Sequence, residues 1–140
     1  MKRKHIFLIL AIITTAFIFR NSAMPAVESS QSSGRIVKFL LGILAYFKVS
    51  AGYGVLETIV RKSAHIAEFF AQAFFIAGSF SGKYKKRIVY VLFFGLLTAC
   101  TDEWIQLFSD GRAGRITDIF IDFGGTAAAT LLGSVVFRRR

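Results

Sequence analysis

Cysteine, proline and tryptophan each occur once in these 140 residues, and histidine only twice. The lone Cys100 excludes an internal disulfide. With a single histidine among the apolar runs and no well-placed thiol, a zinc centre is disfavoured. Charge is scarce as well: 19% of the residues are charged, whereas 54% belong to the set AVILMFWYC and phenylalanine alone occurs 16 times. One domain of this length has too little interior to hide that much apolar surface, so the composition predicts an integral membrane protein rather than a soluble one.

Acid is scarcer than base, with 8 acidic residues against 18 basic ones and a formal net charge of +10. The positions of the bases argue against nucleic acid as a partner. Lys2, Arg3 and Lys4 precede the first apolar run; Lys83, Lys85, Lys86 and Arg87 separate the second from the third; Arg138, Arg139 and Arg140 follow the fourth. Basic clusters in short segments without acid set the orientation of a membrane protein.

Four apolar runs stand out, predicting spans at about 6–24, 63–80, 88–104 and 116–137. Each approaches the roughly 20 helical residues that a bilayer core requires. The first run, after "KRK" and before "NSAMPA", also has the layout of a secretory leader, although Arg20 interrupts it before any cleavage point. The three basic clusters place both termini and the 81–87 loop in the cytoplasm, giving an up-down-up-down bundle. Segments 20–62 and 101–117 then lie outside, and all eight acids fall in them or in the adjoining helix ends.

Within the first outer segment, "VESSQSSG" (27–34) reads as a polar loop. The next stretch, about 35–48, sets Arg35 and Lys38 on one arc and Ile36, Phe39, Leu40, Ile43 and Phe47 on the rest. That pattern predicts an amphipathic helix lying in the outer interface, and its basic residues argue against a fifth span. The predicted fold is therefore all-α: a polytopic four-transmembrane-helix bundle plus one interfacial helix, as a single domain over 1–140.

Three polar stripes interrupt the runs. Arg61, His65, Glu68 and Gln72 are spaced four, three and four, and share one helix face. Asp102 and Gln106 lie one turn apart, with Thr98 a turn earlier and Glu103 beside them. Arg115, Asp118 and Asp122 open the last run, and Gly125, Ala129 and Gly133 continue that line as a small-residue seam for close helix approach. The predicted topology brings all three stripes to one depth at the outer end. An ionisable side chain at the bilayer centre costs roughly 2.5–3.5 kcal/mol, so facing inward around a shared cavity is cheaper than facing lipid. Polar residues between membrane helices also serve simply to hold bundles together, at about 0.6 kcal/mol per contact.

The chemistry of these residue types points to an anion. Arg61, Lys62, Arg112 and Arg115 offer positive charge, and arginine forks suit bidentate phosphate contacts. Gln106 and Asp122 complete the binding candidates. His65 is the candidate acid or base, with Glu68, Asp102, Glu103 and Asp118 as orienting or catalytic carboxylates. Asp102, Glu103 and Asp118 also form an oxygen-rich set able to hold a divalent cation such as Mg²⁺ or Ca²⁺, but no cofactor is required. No nucleophile is evident, so the residues leave open whether any reaction is catalysed.

The motifs "RKSAH" (61–65), "DEWIQ" (102–106), "GR" (111–112) and the Asp118, Asp122, Gly124 and Gly125 set, with "SSQSS" upstream, are similar to those of the VanZ-like family. The resemblance covers roughly residues 27–133. Two positions differ: Asp122 stands where the family often has asparagine, and Phe69 where a tyrosine often follows the histidine. The resemblance implies a small polytopic protein of the bacterial envelope, associated with resistance to the glycopeptide antibiotic teicoplanin. The expected partners are membrane lipid, a lipid-linked anionic head group, a cell-wall precursor or the antibiotic itself. An outer-face enzyme acting on a lipid-linked phosphate and a small transporter are the alternatives; the oligomeric state is open.

Overall fold

A computed structural model describes residues 3–81 and 83–137; Lys2 and Arg138 to Arg140 of the basic clusters lie outside the described residues. The described chain is all-α. Its helices are α1 (Arg3–Ser22), α2 (Ala26–Tyr46), α3 (Tyr53–Ser79), α4 (Tyr84–Gln106) and α5 (Ile116–Val136). Three of them, α1, α4 and α5, are long and apolar enough to cross a membrane. The expected span at 63–80 lies inside α3, which has the length, 27 residues, but carries the charged stripe.

α3 tolerates its polar residues because of where it sits. It packs against α5, α1, α4 and α2, so that Gln72 is buried and Arg61, His65 and Glu68 are half-buried, while Val55, Ile59 and Ile66 face outward. The outer helices show the reverse of a soluble protein: Ile12, Phe93 and Leu131 are 60%, 58% and 71% exposed, while Asp102 is 0% exposed. That inversion suits a hydrocarbon solvent, in which apolar side chains face outward and polar ones must be satisfied internally. Threonines within the apolar helices follow the same rule. The hydroxyls of Thr14, Thr15, Thr98 and Thr101 each donate to the carbonyl four residues back at 2.8 Å.

Packing falls into layers along the bundle. At the end formed by the α3–α4 turn, Ala73, Ala77, Tyr84, Val91, Ala129 and Phe137 form an apolar core. Phe7, Phe74 and Phe137 meet there with ring centroids 5.2–6.3 Å apart. In the middle, Gln72 Nε2 donates to Thr15 Oγ1 of α1 and Thr98 Oγ1 of α4, both at 2.8 Å. This bridge joins three helices and contributes about 1 kcal/mol. Beyond it lies the charged end.

The small-residue seam of α5 is where helices come closest. A Cβ added at Gly125 would collide with the Ile66 backbone carbonyl of α3, and one at Gly133 would strike the Tyr84 ring of α4. An unforeseen third contact joins Gly95 of α4 to Thr126 of α5.

Three expectations need correction. The polar loop at 27–34 is helix, since α2 starts at Ala26 directly after Pro25 rather than near Arg35. Its serines do not break it because their hydroxyls fold back: Ser32 Oγ donates to the Glu28 carbonyl and Ser33 Oγ to the Ser29 carbonyl. Ser33, Gly34 and Val37 are buried, and Ser30 Oγ donates to Glu57 Oε1 of α3 at 2.5 Å. Likewise α3 begins ten residues before the apolar run, at Tyr53. Lastly, Lys83, Lys85 and Lys86 are exposed as a solvated loop requires, but Arg87 is buried inside α4 and donates to the Ala77 carbonyl.

Candidate functional site

The charged end is built on a corner. α1 ends at Ser22, and Ala26 N–H at the start of α2 donates to the Asp110 carbonyl at 2.9 Å. Ser109 Oγ donates to the Ser22 carbonyl at 2.8 Å, so the α1–α2 corner clasps the α4–α5 turn. In that turn Gly111 has φ of +70°, the left-handed region that glycine occupies at little cost. This explains the "GR" pair: the glycine reverses the chain so that Arg112 points back at α3 and α4.

A cleft of about 270 Å³ opens there. α3 contributes Arg61, Lys62 and His65, and α4 contributes Glu103 and Gln106. The turn supplies Arg112, Ala113 and Arg115, and α5 supplies Asp118 and Asp122. Nine of the eleven residues singled out from the sequence therefore line one cavity. The other two, Glu68 and Asp102, do not line it and have partners at its back. Glu68 Oε1 accepts from Asn21 Nδ2 at 3.1 Å. Asp102 accepts from the Ser22 hydroxyl on one oxygen and from Gln106 Nε2, at 2.8 Å, on the other.

The charges of the cleft pair selectively. Arg61, Arg112 and Arg115 lie nearby in the sequence motifs, yet none of their guanidiniums forms an ion pair among the described residues. Lys62 Nζ instead holds Asp118 at 2.7 Å. Arg115 acts through its backbone, whose N–H donates to Glu103 Oε2 at 2.5 Å, and Gln106 reaches the other Glu103 oxygen at 3.3 Å. Nε and Nη1 of Arg112 are buried without a hydrogen-bond partner. Burial, and then the nearby Arg61 charge, hold the Arg112 pKa below its ordinary value; Asp102, Glu103 and Glu68 pull the other way.

The expected oxygen-rich set does not assemble as such. Glu103 and Asp118 are engaged elsewhere, and Asp102 comes together with His65 and Asp122 instead: one ligand atom from each lies within 4.8 Å of the others. His65 Nδ1 is 3.9 Å from Asp122 Oδ1.

The sequence reading missed the contribution of α1. Asn21 and Ser22 support the two rear carboxylates, and Ser109 locks the corner. The only signal of Asn21 and Ser22 was a short polar cluster, "NS", ending an apolar run. Polar residues at a helix end ordinarily just meet the interface.

A family model described as VanZ/LLP1 matches residues 7–137. The chain belongs to the VanZ/LLP1 family. It is accordingly a multi-pass membrane protein, which accords with the three apolar helices. No curated protein and no solved structure matches the chain. The VanZ/LLP1 match runs from within α1 to the end of α5, so the cleft-lining motifs and the clasping corner lie inside the matched region.

Proposed function

We propose that this VanZ/LLP1 protein binds an anionic, lipid-linked head group in the cleft, on the outer face of a bacterial cell membrane. One observation carries the reading: Arg61 and Arg112 share the cleft and neither guanidinium has an ion pair among the described residues. Two like charges held in a half-enclosed cavity call for a counter-anion. No carboxylate of the cleft is within ion-pair range of either: Asp118 is held by Lys62, Glu103 accepts the Arg115 N–H, and Asp122 has His65 as its neighbour. A phosphate suits paired arginine forks.

In this reading α3 is the fourth span, its charged stripe turned toward its neighbours and Val55, Ile59 and Ile66 turned outward. α2 lies in the outer interface, its exposed Phe39, Ile43, Tyr46 and Phe47 toward the acyl chains. Exposed Lys85 and Lys86, at the opposite end of α3 and α4, stay in the cytoplasm by the positive-inside rule. An acyl or prenyl chain would lie along the lipid-facing helices while its phosphate enters the cleft. The proposal extends to cell-wall precursors as the natural class of ligand and to altered teicoplanin susceptibility, which the family resemblance implies.

Farnesyl phosphate is a suitable probe, with farnesol as the uncharged control. The purified chain in detergent should bind the phosphate saturably, at one per protein, and bind farnesol much more weakly. Equal affinity for the two would show that the prenyl chain alone is recognised, and the proposal would fall. A second, catalytic reading draws on His65, whose Nδ1 faces the Asp122 carboxylate across 3.9 Å. The same assay separates the readings: a hydrolase releases inorganic phosphate from the probe, and a binding site does not.

A further inference from the structure

At the base of the cleft lies a group of side chains that the arginine contacts to a head group leave unused. Asp122 of α5 is 2% exposed. Its Oδ2 is buried with no hydrogen-bond partner, and its Oδ1 lies 3.9 Å from His65 Nδ1, beyond hydrogen-bond reach. His65 Nδ1 of α3 is likewise buried without a partner. Asp102 of α4 is 0% exposed and turns an oxygen toward both, all three ligand atoms lying within 4.8 Å of one another. Two carboxylates brought from different helices into one buried spot repel each other unless one holds a proton or a cation lies between them. Buried charges are ordinarily paired or coordinate a metal.

We infer that His65, Asp102 and Asp122 bind one divalent transition-metal ion at the base of the cleft. One imidazole nitrogen and two carboxylate oxygens form a mixed nitrogen and oxygen donor set. The imidazole nitrogen turns the site away from the all-oxygen ions Ca²⁺ and Mg²⁺ expected from the sequence, and toward Zn²⁺, Mn²⁺ and Fe²⁺, of which the sequence disfavoured zinc. The surroundings fit a ligand shell. The Ser22 hydroxyl and Gln106 Nε2 donate to the two Asp102 oxygens and fix its plane. Outer donors of this kind orient metal-binding carboxylates, and each oxygen keeps a lone pair for the ion. Because His65 and Asp122 also line the cleft, the ion has an open side toward Arg61 and Arg112. Asp122 is decisive, since it supplies the second anionic ligand from a buried position with one oxygen unpartnered.

Co²⁺ serves as a spectroscopic probe. The full chain carrying Cys100→Ala, purified in detergent and stripped with a chelator, should take up one equivalent. Visible ligand-field bands should appear and then vanish on adding Zn²⁺. Asp122→Asn should weaken binding by at least about 10-fold, the loss that even an outer-shell change brings. His65→Cys should add a thiolate-to-cobalt charge-transfer band, a signature that a purely structural role for residue 65 would not produce. Absence of Co²⁺ binding by the chain with His65 and Asp122 intact overturns the inference without reference to any variant. So does unchanged affinity in Asp122→Asn, or binding by His65→Cys without the new band. The titration contains no lipid phosphate, so failure of head-group binding and failure of the metal site are read separately.

Discussion

Replacing Arg61 and Arg112 together with glutamine is expected to weaken farnesyl phosphate binding by about 100-fold or more while leaving the protein folded. A hydrogen bond to a charged group contributes about 1.5–3 kcal/mol, or roughly 10- to 100-fold in affinity for each arginine. Removal of charge usually threatens the fold when it strands an ion-paired or hydrogen-bonded partner, and the geometry gives neither guanidinium such a partner among the described residues. Neither guanidinium has an ion pair among the described residues, and Arg112 Nε and Nη1 have no hydrogen-bond partner. The two arginines also repel each other, which is part of why the Arg112 pKa is lowered. Thermal stability in detergent should therefore stay level or rise as affinity falls. Isothermal titration of the double variant checks the affinity and a melting curve checks the fold. A loss of both together would assign these arginines to the architecture of the bundle.

The second large effect is structural and comes from adjacent glycines. Gly125→Val should cost about 3 kcal/mol or more, whereas Gly124→Ala should be neutral or stabilising by up to about 1 kcal/mol. The new Cβ at Gly125 meets the Ile66 carbonyl and also approaches Phe70 N at 3.2 Å. These are backbone atoms, so no rotamer change relieves the clash, and α3 and α5 must separate. Overpacking typically costs 1–3 kcal/mol, and a rigid obstacle puts this case at the top of that range. At Gly124 nothing lies within 4 Å of an added Cβ, and alanine is the better helix former. The monodisperse fraction surviving a heat step in detergent should rank Gly124→Ala at or above the parent and Gly125→Val far below it. Equal survival would mean that the α3–α5 seam does not limit stability.

Much of this organisation was visible in the residues because membrane burial is a strong filter. The spacing of Arg61, His65, Glu68 and Gln72 can lie on one face only if the segment is helical. A face that polar in so apolar a chain must turn inward, as it does in α3. The start of α5 at Ile116 followed from "GRAGR" giving way to an apolar run. α2 was less legible, because serine favours turns through the same backbone hydrogen bonding that lets it sit quietly in a helix, and which one wins depends on packing against α3. Charge pairing was not legible at all. Arg61 and Lys62 are adjacent and alike in the sequence, yet only Lys62 reaches Asp118, since helix rotation decides which of the two has the carboxylate within range. Nor does the sequence indicate that Asn21 and Ser22 meet carboxylates 47 and 80 residues away.

The central claim, a cleft open to the outside that accepts an anionic head group, can be tested by one labelling rate. Ala113 lines the cleft, is exposed and adjoins Arg112. Ser109, in the same turn, is buried and hydrogen-bonded to Ser22, so it is the poorer probe position. With Ala113→Cys on the Cys100→Ala background, a membrane-impermeant maleimide is added to intact cells. The thiol should label from outside, and farnesyl phosphate, but not farnesol, should slow the reaction. Labelling only after lysis, or at a rate the phosphate leaves unchanged, would contradict the account.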